Sequence, residues 1–253
     1  MFGFKKRRRN RLANQPFPPE WLEIIETNVP YYNTLPNEDK LELQRHILIF
    51  IAEKQFEGCG GLAITDEIKV NIAAQACILL LHRQTDYYPG LYSILVYPHA
   101  YIARHDERLA SGIIVEGPHL RLGESWRRGS VVLSWDDVRK GSADVHDGQN
   151  VVFHEFAHQL DSSAGRGDSS DVLRRRSSYI AWARVLQKDY QKLRRDVDLN
   201  QRTFLDDYGA TNPAEFFAVA TECFFKLPKE FQKSHPDLYR ELKNFYHQDP
   251  ARF

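Results

Sequence analysis

Apolar residues follow two different spacings along the chain, helical at both ends and strand-like in the middle. In the first third they recur at intervals of three and four after a proline-rich start. This predicts one helix that opens at 16–21 and a second over 38–54. Thr65 is a good N-cap for a third helix through 68–81, which is apolar on nearly every side and is therefore predicted to be buried.

Short runs rich in β-branched and aromatic residues then predict strands, separated by glycine and proline. The runs are 91–97, 112–116 and 130–135. Helical spacing returns at 178–197 and again after Asn212, whereas 162–178 is rich in Ser, Gly, Asp and Arg and is predicted as a loop. The order predicts an α+β fold with N-terminal helices, a small mixed sheet, a central helix and C-terminal helices. We expect the sheet edge to lie along that central helix and to hold an extended peptide by strand addition.

The central helix, 150–161, has the sequence Asn-Val-Val-Phe-His-Glu-Phe-Ala-His-Gln-Leu-Asp and carries the candidate chemistry. Its spacing brings His154 and His158 to one face, one turn apart, where their neutral imidazoles can share a zinc ion. Glu155 follows the first histidine and can act as general base, which is the His-Glu-x-x-His pattern of zinc peptidases. Because these polar groups lie among apolar residues, they need a partner such as a metal.

A catalytic zinc usually takes three protein ligands and leaves one position for water. The metzincin class is excluded, because Asp161 and Ala164 stand where that class has glycine and histidine. A glutamate from a later helix is the other common solution. The apolar helix that begins after Asn212 offers Glu215 and Glu222, two turns apart on one face. The alternative for Glu215 is a capping-box contact back to Asn212.

Charge is distributed unevenly, although the net charge of the 253 residues is zero. Six cations precede the first acidic residue, namely Lys5, Lys6, Arg7, Arg8, Arg9 and Arg11. Without them, 28 basic residues remain against 34 acidic ones, a net charge of −6. We interpret 1–15 as a disordered basic tail and 16–253, with its 42% hydrophobic content, as a single domain.

The cysteines and the apolar runs bear on localisation. Three scattered cysteines, an odd number, indicate reduced thiols without a disulfide framework; they are Cys59, Cys77 and Cys223. The basic tail lacks the apolar stretch of a secretory signal, and the run 72–81 is too short to cross a bilayer. The sequence therefore predicts a cytoplasmic protein without membrane contact.

Several motifs resemble the Mlc titration factor A family of bacterial zinc metallopeptidases, over most of the chain from about Trp21 to the mid-240s. The longest are His-Glu-Phe-Ala-His-Gln-Leu-Asp at 154–161, Asn-Pro-Ala-Glu at 212–215 together with Tyr208, and Glu-Cys-Phe-Phe at 222–225. Shorter matches lie at 56–58, 62–67, 73–76, 88–90 and 131–135.

The resemblance implies a zincin fold akin to the catalytic domain of anthrax lethal factor. It implies one zinc ion per chain, held by His154, His158 and Glu215. It also implies Glu155 as general base and the Tyr208 hydroxyl facing the developing oxyanion. The expected activity is aminopeptidase-like cleavage of peptides, and the expected protein partner is a Mlc-like transcriptional repressor of sugar phosphotransferase genes.

Asp161 and Glu222 are expected to orient a ligating imidazole through its second ring nitrogen, with capping or surface placement as the alternative. Two other functions stay open. One is a regulatory protein that sequesters a transcription factor while its peptidase activity is latent or incidental. The other is a nucleic-acid binder that uses the basic tail, against which the acidic remainder of the chain argues.

Overall fold

A computed structural model describes residues 2–100, 107–108, 114–115, 129–144, 147–164 and 172–252. Its helices are α1 (Phe2–Ala13), α2 (Pro19–Asn28), α3 (Pro30–Thr34), α4 (Asn37–Glu53), α5 (Asp66–Ile78), α6 (Trp135–Ala143), α7 (Val151–Ala164), α8 (Val172–Asp198), α9 (Pro213–Lys226), α10 (Pro228–Ser234) and α11 (Pro236–Tyr246). Its strands are β1 (Gln55–Gly58), β2 (Ser93–Tyr97), β3 (Glu107–Arg108), β4 (Ile114–Val115) and β5 (Ser130–Ser134). Short 3-10 helices lie at Asp207–Ala210 and Pro250–Arg252.

The strands form a parallel three-stranded sheet and a separate antiparallel pair. The order of the parallel sheet is β1-β2-β5, with Ile94 of β2 between Phe56 of β1 and Val131 of β5. β3 and β4 form the antiparallel pair. Together with the helices on either side, this is the predicted α+β zincin-like architecture, and each predicted strand overlaps one of β2, β4 and β5. Where one mixed sheet was predicted, the described strands form a parallel sheet and a separate antiparallel pair.

β1 occupies part of a glycine-rich segment in which the sequence indicates no strand. It ends at Gly58, where a Cβ atom would lie 1.8 Å from the carbonyl oxygen of Leu62. Only glycine allows this close approach of the chain to itself. β1 depends on its pairing with β2, which begins 38 residues later, and a local pattern does not show that pairing.

Two short helices also lie outside the predicted set. α3 lies between the two helices predicted for the N-terminal part of the chain. α6 follows β5 directly, with Ser134 Oγ accepting a hydrogen bond from the backbone N–H of Asp137 at 3.4 Å. The loop predicted at 162–178 is shorter at both ends, since α7 continues to Ala164 and α8 begins at Val172. Its central part, 165–171, lies outside the described residues.

The N-terminal segment was predicted as a disordered tail, but it forms α1 and packs on α4. Arg9 is the reason. Its guanidinium donates to both carboxylate oxygens of Glu53 at 2.6 and 2.7 Å and to Asp86 at 2.7 Å, and it lies 4.6 Å above the Tyr87 ring. Because these partners are 44 and 77 residues away, the sequence shows only a run of cations. The single domain over 16–253 stays a prediction.

Aromatic packing fixes α7 in the middle of the molecule. Phe156 of α7 lies 5.7 Å from Phe50 and 4.8 Å from Tyr88, measured between ring centroids. Phe153 contacts Phe225 of α9 at 5.2 Å, and α7 also packs against α5, α6 and β5. These contacts hold the polar residues of α7 and α9 toward each other. No helix in the described part of the chain is both long and apolar enough to span a bilayer.

Candidate metal centre

The start of α7 is set by a side-chain cap. Asn150 Oδ1 accepts a hydrogen bond from the backbone N–H of Phe153 at 2.9 Å, which satisfies one of the unpaired donors of the first turn. His154 and His158 then lie one turn apart on the same face, with ring centroids 4.9 Å apart. Their Nε2 atoms are 3.2 Å apart, so the Nε2 edges of both rings face the same position.

Glu215 reaches that position from α9. Asn212 Oδ1 caps this helix by accepting from the backbone N–H groups of Ala214 and Glu215 at 2.9 and 3.1 Å. The carboxylate of Glu215 is turned toward α7, where Oε2 lies 2.9 Å from His154 Nε2 and 3.3 Å from His158 Nε2. Its carboxylate thus faces the imidazoles rather than its own cap.

The three ligand atoms suit a single tetrahedral metal ion. Bonds of about 2.0–2.1 Å from zinc to imidazole nitrogen or carboxylate oxygen require ligand atoms about 3.3 Å apart. The observed separations are 2.9, 3.2 and 3.3 Å. Two imidazoles and one carboxylate are also a donor set of catalytic zinc sites. The donor types and the spacing of His154, His158 and Glu215 therefore fit a bound divalent metal ion.

Asp39, Glu42 and His82 form a second group of potential ligands among the described residues. Here the imidazole lies between the carboxylates, with Nε2 3.3 Å from Asp39 Oδ1 and Nδ1 3.5 Å from Glu42 Oε2. Because the carboxylates face opposite ring nitrogens, these side chains do not converge on one position as the ligands of a metal ion do.

Glu222 lies two turns after Glu215 on α9 and contacts the other edge of the first imidazole. Its Oε1 is 2.7 Å from His154 Nδ1, and its Oε2 accepts from the backbone N–H of Asn150. Asp161, the other residue expected to orient an imidazole, is exposed near the end of α7 and interacts electrostatically with His158. The structure therefore brings Glu222 into hydrogen-bond contact with His154, whereas the hydrogen bonds of the described residues include none from Asp161 to that ring.

Glu155 and Tyr208 complete the predicted catalytic set. Glu155 is 4% exposed, and burial raises its pKa to about 7, with Glu215 and Glu222 adding to the rise while His154 opposes it. Tyr208 lies on the 3-10 helix before α9 and is 54% exposed, with its ring centroid 6.1 Å from that of His154. Tyr208 thus borders the site from the solvent side.

The carboxylates of the site shift the pKa of His154, and the imidazoles shift the pKa of Glu215. Burial alone would raise the pKa of Glu215, but the hydrogen bonds to His154 and His158 outweigh it and lower that pKa to about 2. Burial alone would lower the pKa of His154, yet the carboxylates of Glu215 and Glu222 raise it to about 10. The carboxylates therefore favour a positive charge at this position, and a metal cation can supply it.

Lys226 supports the site from behind and was not singled out from the sequence. It is 6% exposed, and its Nζ donates to the carbonyl oxygens of Gly141 and Gln149 at 2.7 and 2.9 Å and pairs with Asp147 at 2.9 Å. These contacts hold the chain that leads into α7. A lysine directly after Cys-Phe-Phe, at the end of a largely apolar helix, is the sequence signal that marks it.

A helix with His-Glu-x-x-His, faced by a glutamate from a later helix in an α+β fold, defines the zincin-like metallopeptidase class. The model of the glucose-regulated metallo-peptidase M90 family matches residues 4–247, and the chain belongs to this family. The match begins within α1, so the family includes the segment that was predicted as a tail.

Relatives cover most of the chain. An uncharacterized protein of Synechocystis sp. is 40% identical over 244 residues, which are 96% of this chain and 89% of that protein. Mlc titration factor A of Serratia proteamaculans is 30% identical over 217 residues, 84% of this chain and 82% of its own length. Mlc titration factor A of Yersinia enterocolitica is 27% identical over 243 residues, with shares of 94% and 90%. The resemblance predicted from the motifs is confirmed.

Proposed function

We propose that the protein is a zinc-dependent peptidase with aminopeptidase-like action. The observation that carries this proposal is the convergence of two imidazole nitrogens and one carboxylate oxygen within 3.3 Å of one another, directly beside Glu155. Membership of a metallo-peptidase family supports the same class of activity. In this proposal His154, His158 and Glu215 hold the zinc ion.

Each remaining residue of the site has a proposed task. When bound, zinc lowers the pKa of a coordinated water from ~16 to about 7. Glu155, whose own pKa is raised to about 7, accepts the proton of the attacking water and afterwards passes it to the leaving amine. The Tyr208 hydroxyl donates a hydrogen bond to the developing oxyanion. Glu222 holds the imidazole of His154 in the tautomer that leaves Nε2 free for the metal.

The peptide is proposed to lie along β5. Among the described strands, β5 is at one edge of the parallel sheet, and it packs against α7. An extended substrate can add to such an edge through backbone hydrogen bonds, which bind any sequence. This geometry supports a peptide rather than a compact small molecule as the substrate.

The test compares wild type with Glu155→Gln for zinc content and for hydrolysis of amino-acid chromogenic amides. We expect stoichiometric zinc in both proteins and a loss of turnover of roughly 10²–10⁴-fold in the variant, because the proton acceptor is gone while the ligands remain. Glu230→Gln changes an exposed glutamate of α10 in the same way and serves as the control. Near-normal turnover of Glu155→Gln would rule out the general-base role, and equal cleavage of N-acetylated peptides would rule out aminopeptidase action.

A second function is proposed beside the first, the binding of a Mlc-like transcriptional repressor and thereby an influence on sugar phosphotransferase genes. It is favoured by relatives named Mlc titration factor A. Binding of a purified repressor of this kind is measured for wild type and for zinc-free His154→Ala. Binding by both proteins supports a regulatory surface separate from the metal site, and binding by neither excludes this function.

A further inference from the structure

A chain of buried amides leads from α5 to the candidate metal ligands. Asn71 and Gln75 are each 1% exposed, and the other buried residues of α5 are apolar. Gln75 Nε2 donates to Asn71 Oδ1 at 2.6 Å, and Gln75 Oε1 accepts from Asn150 Nδ2 at 2.7 Å. Asn150 is itself 3% exposed and stands directly before α7.

The same chain continues through the backbone of Asn150 to the metal site. The N–H of Asn150 donates to Glu222 Oε2, and Glu222 Oε1 lies 2.7 Å from His154 Nδ1. Gln75 is therefore connected to a candidate ligand through Asn150 and Glu222. It lies 75 residues from Asn150 in sequence, so the connection is tertiary.

The hydrogen bonds allow one orientation of each amide. Asn150 Oδ1 is occupied by the backbone N–H of Phe153, so its Nδ2 must face Gln75 and the carbonyl oxygen of Gly141, at 2.7 and 3.0 Å. This requires Gln75 to present Oε1 to Asn150 and Nε2 to Asn71. Gln75 and Asn150 thus each use both the donor and the acceptor of their amides, and buried polar groups satisfied in one arrangement are rigid.

We propose that Gln75 is a positioning residue for the metal site. It fixes Asn150, which places the first turn of α7 and offers its backbone N–H to Glu222, and Glu222 in turn holds the His154 imidazole toward the metal. The inference rests on the proposed function, since it assigns a role in holding the zinc ion. It adds a residue that is linked to the ligands through Asn150 and Glu222 by the hydrogen bonds of the described residues.

The test replaces Gln75 by methionine, which has similar length and no amide and fits irregular gaps in a core. Zinc affinity is measured by competition with a chromophoric chelator, and the Co2+-substituted protein is examined by absorption spectroscopy. We expect Gln75→Met to bind zinc about 10–100-fold more weakly, as is typical when a residue that supports a ligand is lost. A change in the Co2+ spectrum is also expected, because the His154 ring is less firmly oriented.

Thr221→Val is the matched control. Thr221 is fully buried on α9 beside Glu222, but its hydroxyl bonds to Tyr246 at 2.8 Å and takes no part in the amide chain. This variant is expected to lower the melting temperature while leaving zinc affinity and the Co2+ spectrum unchanged. Gln75→Glu is expected to keep most of the wild-type zinc affinity that Gln75→Met loses. A buried carboxyl group that takes up a proton reproduces the donor and the acceptor of the amide.

The proposal is overturned if Gln75→Met lowers only the melting temperature, as Thr221→Val does, and keeps wild-type affinity and spectrum. A wild-type protein that binds no zinc would refute the proposed function instead. The positioning role is then decided on the metal-free protein, from the proton NMR signal of the His154 Nδ1–H. Broadening or loss of that signal in Gln75→Met alone supports the role, and an unchanged signal refutes it.

Discussion

Three glutamates lie around the two imidazoles of the site, and each glutamate has a different environment. Glu215 accepts from both rings, and its pKa falls to about 2. Burial raises the pKa of Glu222, which lies behind His154, although hydrogen bonds partly offset the rise. Burial also raises the pKa of Glu155, to about 7. Carboxyl groups whose pKa values are separated in this way can divide ligand and base duties at neutral pH.

Zinc uptake is predicted to depend on pH through His154. In the metal-free protein the pKa of His154 is raised to about 10, so below that pH the ring keeps a proton that zinc must displace. Apparent zinc affinity should rise by about tenfold per pH unit from pH 6 to 9, with release of about one proton per ion. Chelator competition across this range and calorimetry in buffers of different ionisation enthalpy measure both quantities. A zinc affinity that does not change with pH would show that zinc displaces no proton from the His154 ring.

Tyr208→Phe tests the proposed oxyanion donor. Tyr208 is exposed beside the His154 ring, so loss of its hydroxyl should leave folding and zinc content intact. We expect kcat to fall roughly 10²–10³-fold with little change in KM, because the hydroxyl acts mainly in the transition state. Steady-state kinetics on a chromogenic amide give both constants. An unchanged kcat would remove Tyr208 from the catalytic set.

Among the secondary-structure elements, α1 offers a test of how the N-terminal segment is held. Arg9→Ala leaves the half-buried Glu53 without its cation, and we expect the free energy of unfolding to fall by about 2–3 kcal/mol. Arg7→Ala removes an exposed cation of the same helix that has no ion pair with any described residue, and it should change stability by less than about 0.5 kcal/mol. Urea unfolding of both variants, with limited proteolysis of the N-terminus, distinguishes them. Equal stability of the two variants would mean that α1 is not anchored through Arg9.

The elements that the sequence predicts well are those specified by neighbouring residues. α5, α7 and α9 each begin with a polar cap that is visible in the sequence, at Thr65, Asn150 and Asn212. β1 and α1 were missed because their partners are distant, the one relying on β2 and the other on Glu53 and Asp86. The local sequence pattern predicts a helix or strand that carries its own cap or apolar spacing. It does not show which strands will pair, or which charged side chains will form ion pairs, over a long distance in sequence.

Across the whole molecule, the candidate site is assembled by tertiary contacts. The motif on α7 indicates two ligands and a base from spacing alone, and the sequence offers Glu215 with a capping alternative. The packing of α7 on α9 brings the Glu215 carboxylate to the imidazoles, although Glu215 is 61 residues from His154 in sequence. Gln75 could be recognised only as a polar residue in an apolar helix, because its partner Asn150 is 75 residues distant.

Zinc K-edge X-ray absorption of the purified protein identifies the atoms that bind the metal. We predict one zinc ion per chain with two imidazole nitrogens and one or two oxygens at about 2.0–2.2 Å. Glu215→Ala should lose an oxygen neighbour and His154→Ala a nitrogen neighbour, or either should lose the metal. A spectrum that shows sulfur ligands, or one that both substitutions leave unchanged, would contradict the assignment of His154, His158 and Glu215 as the metal ligands.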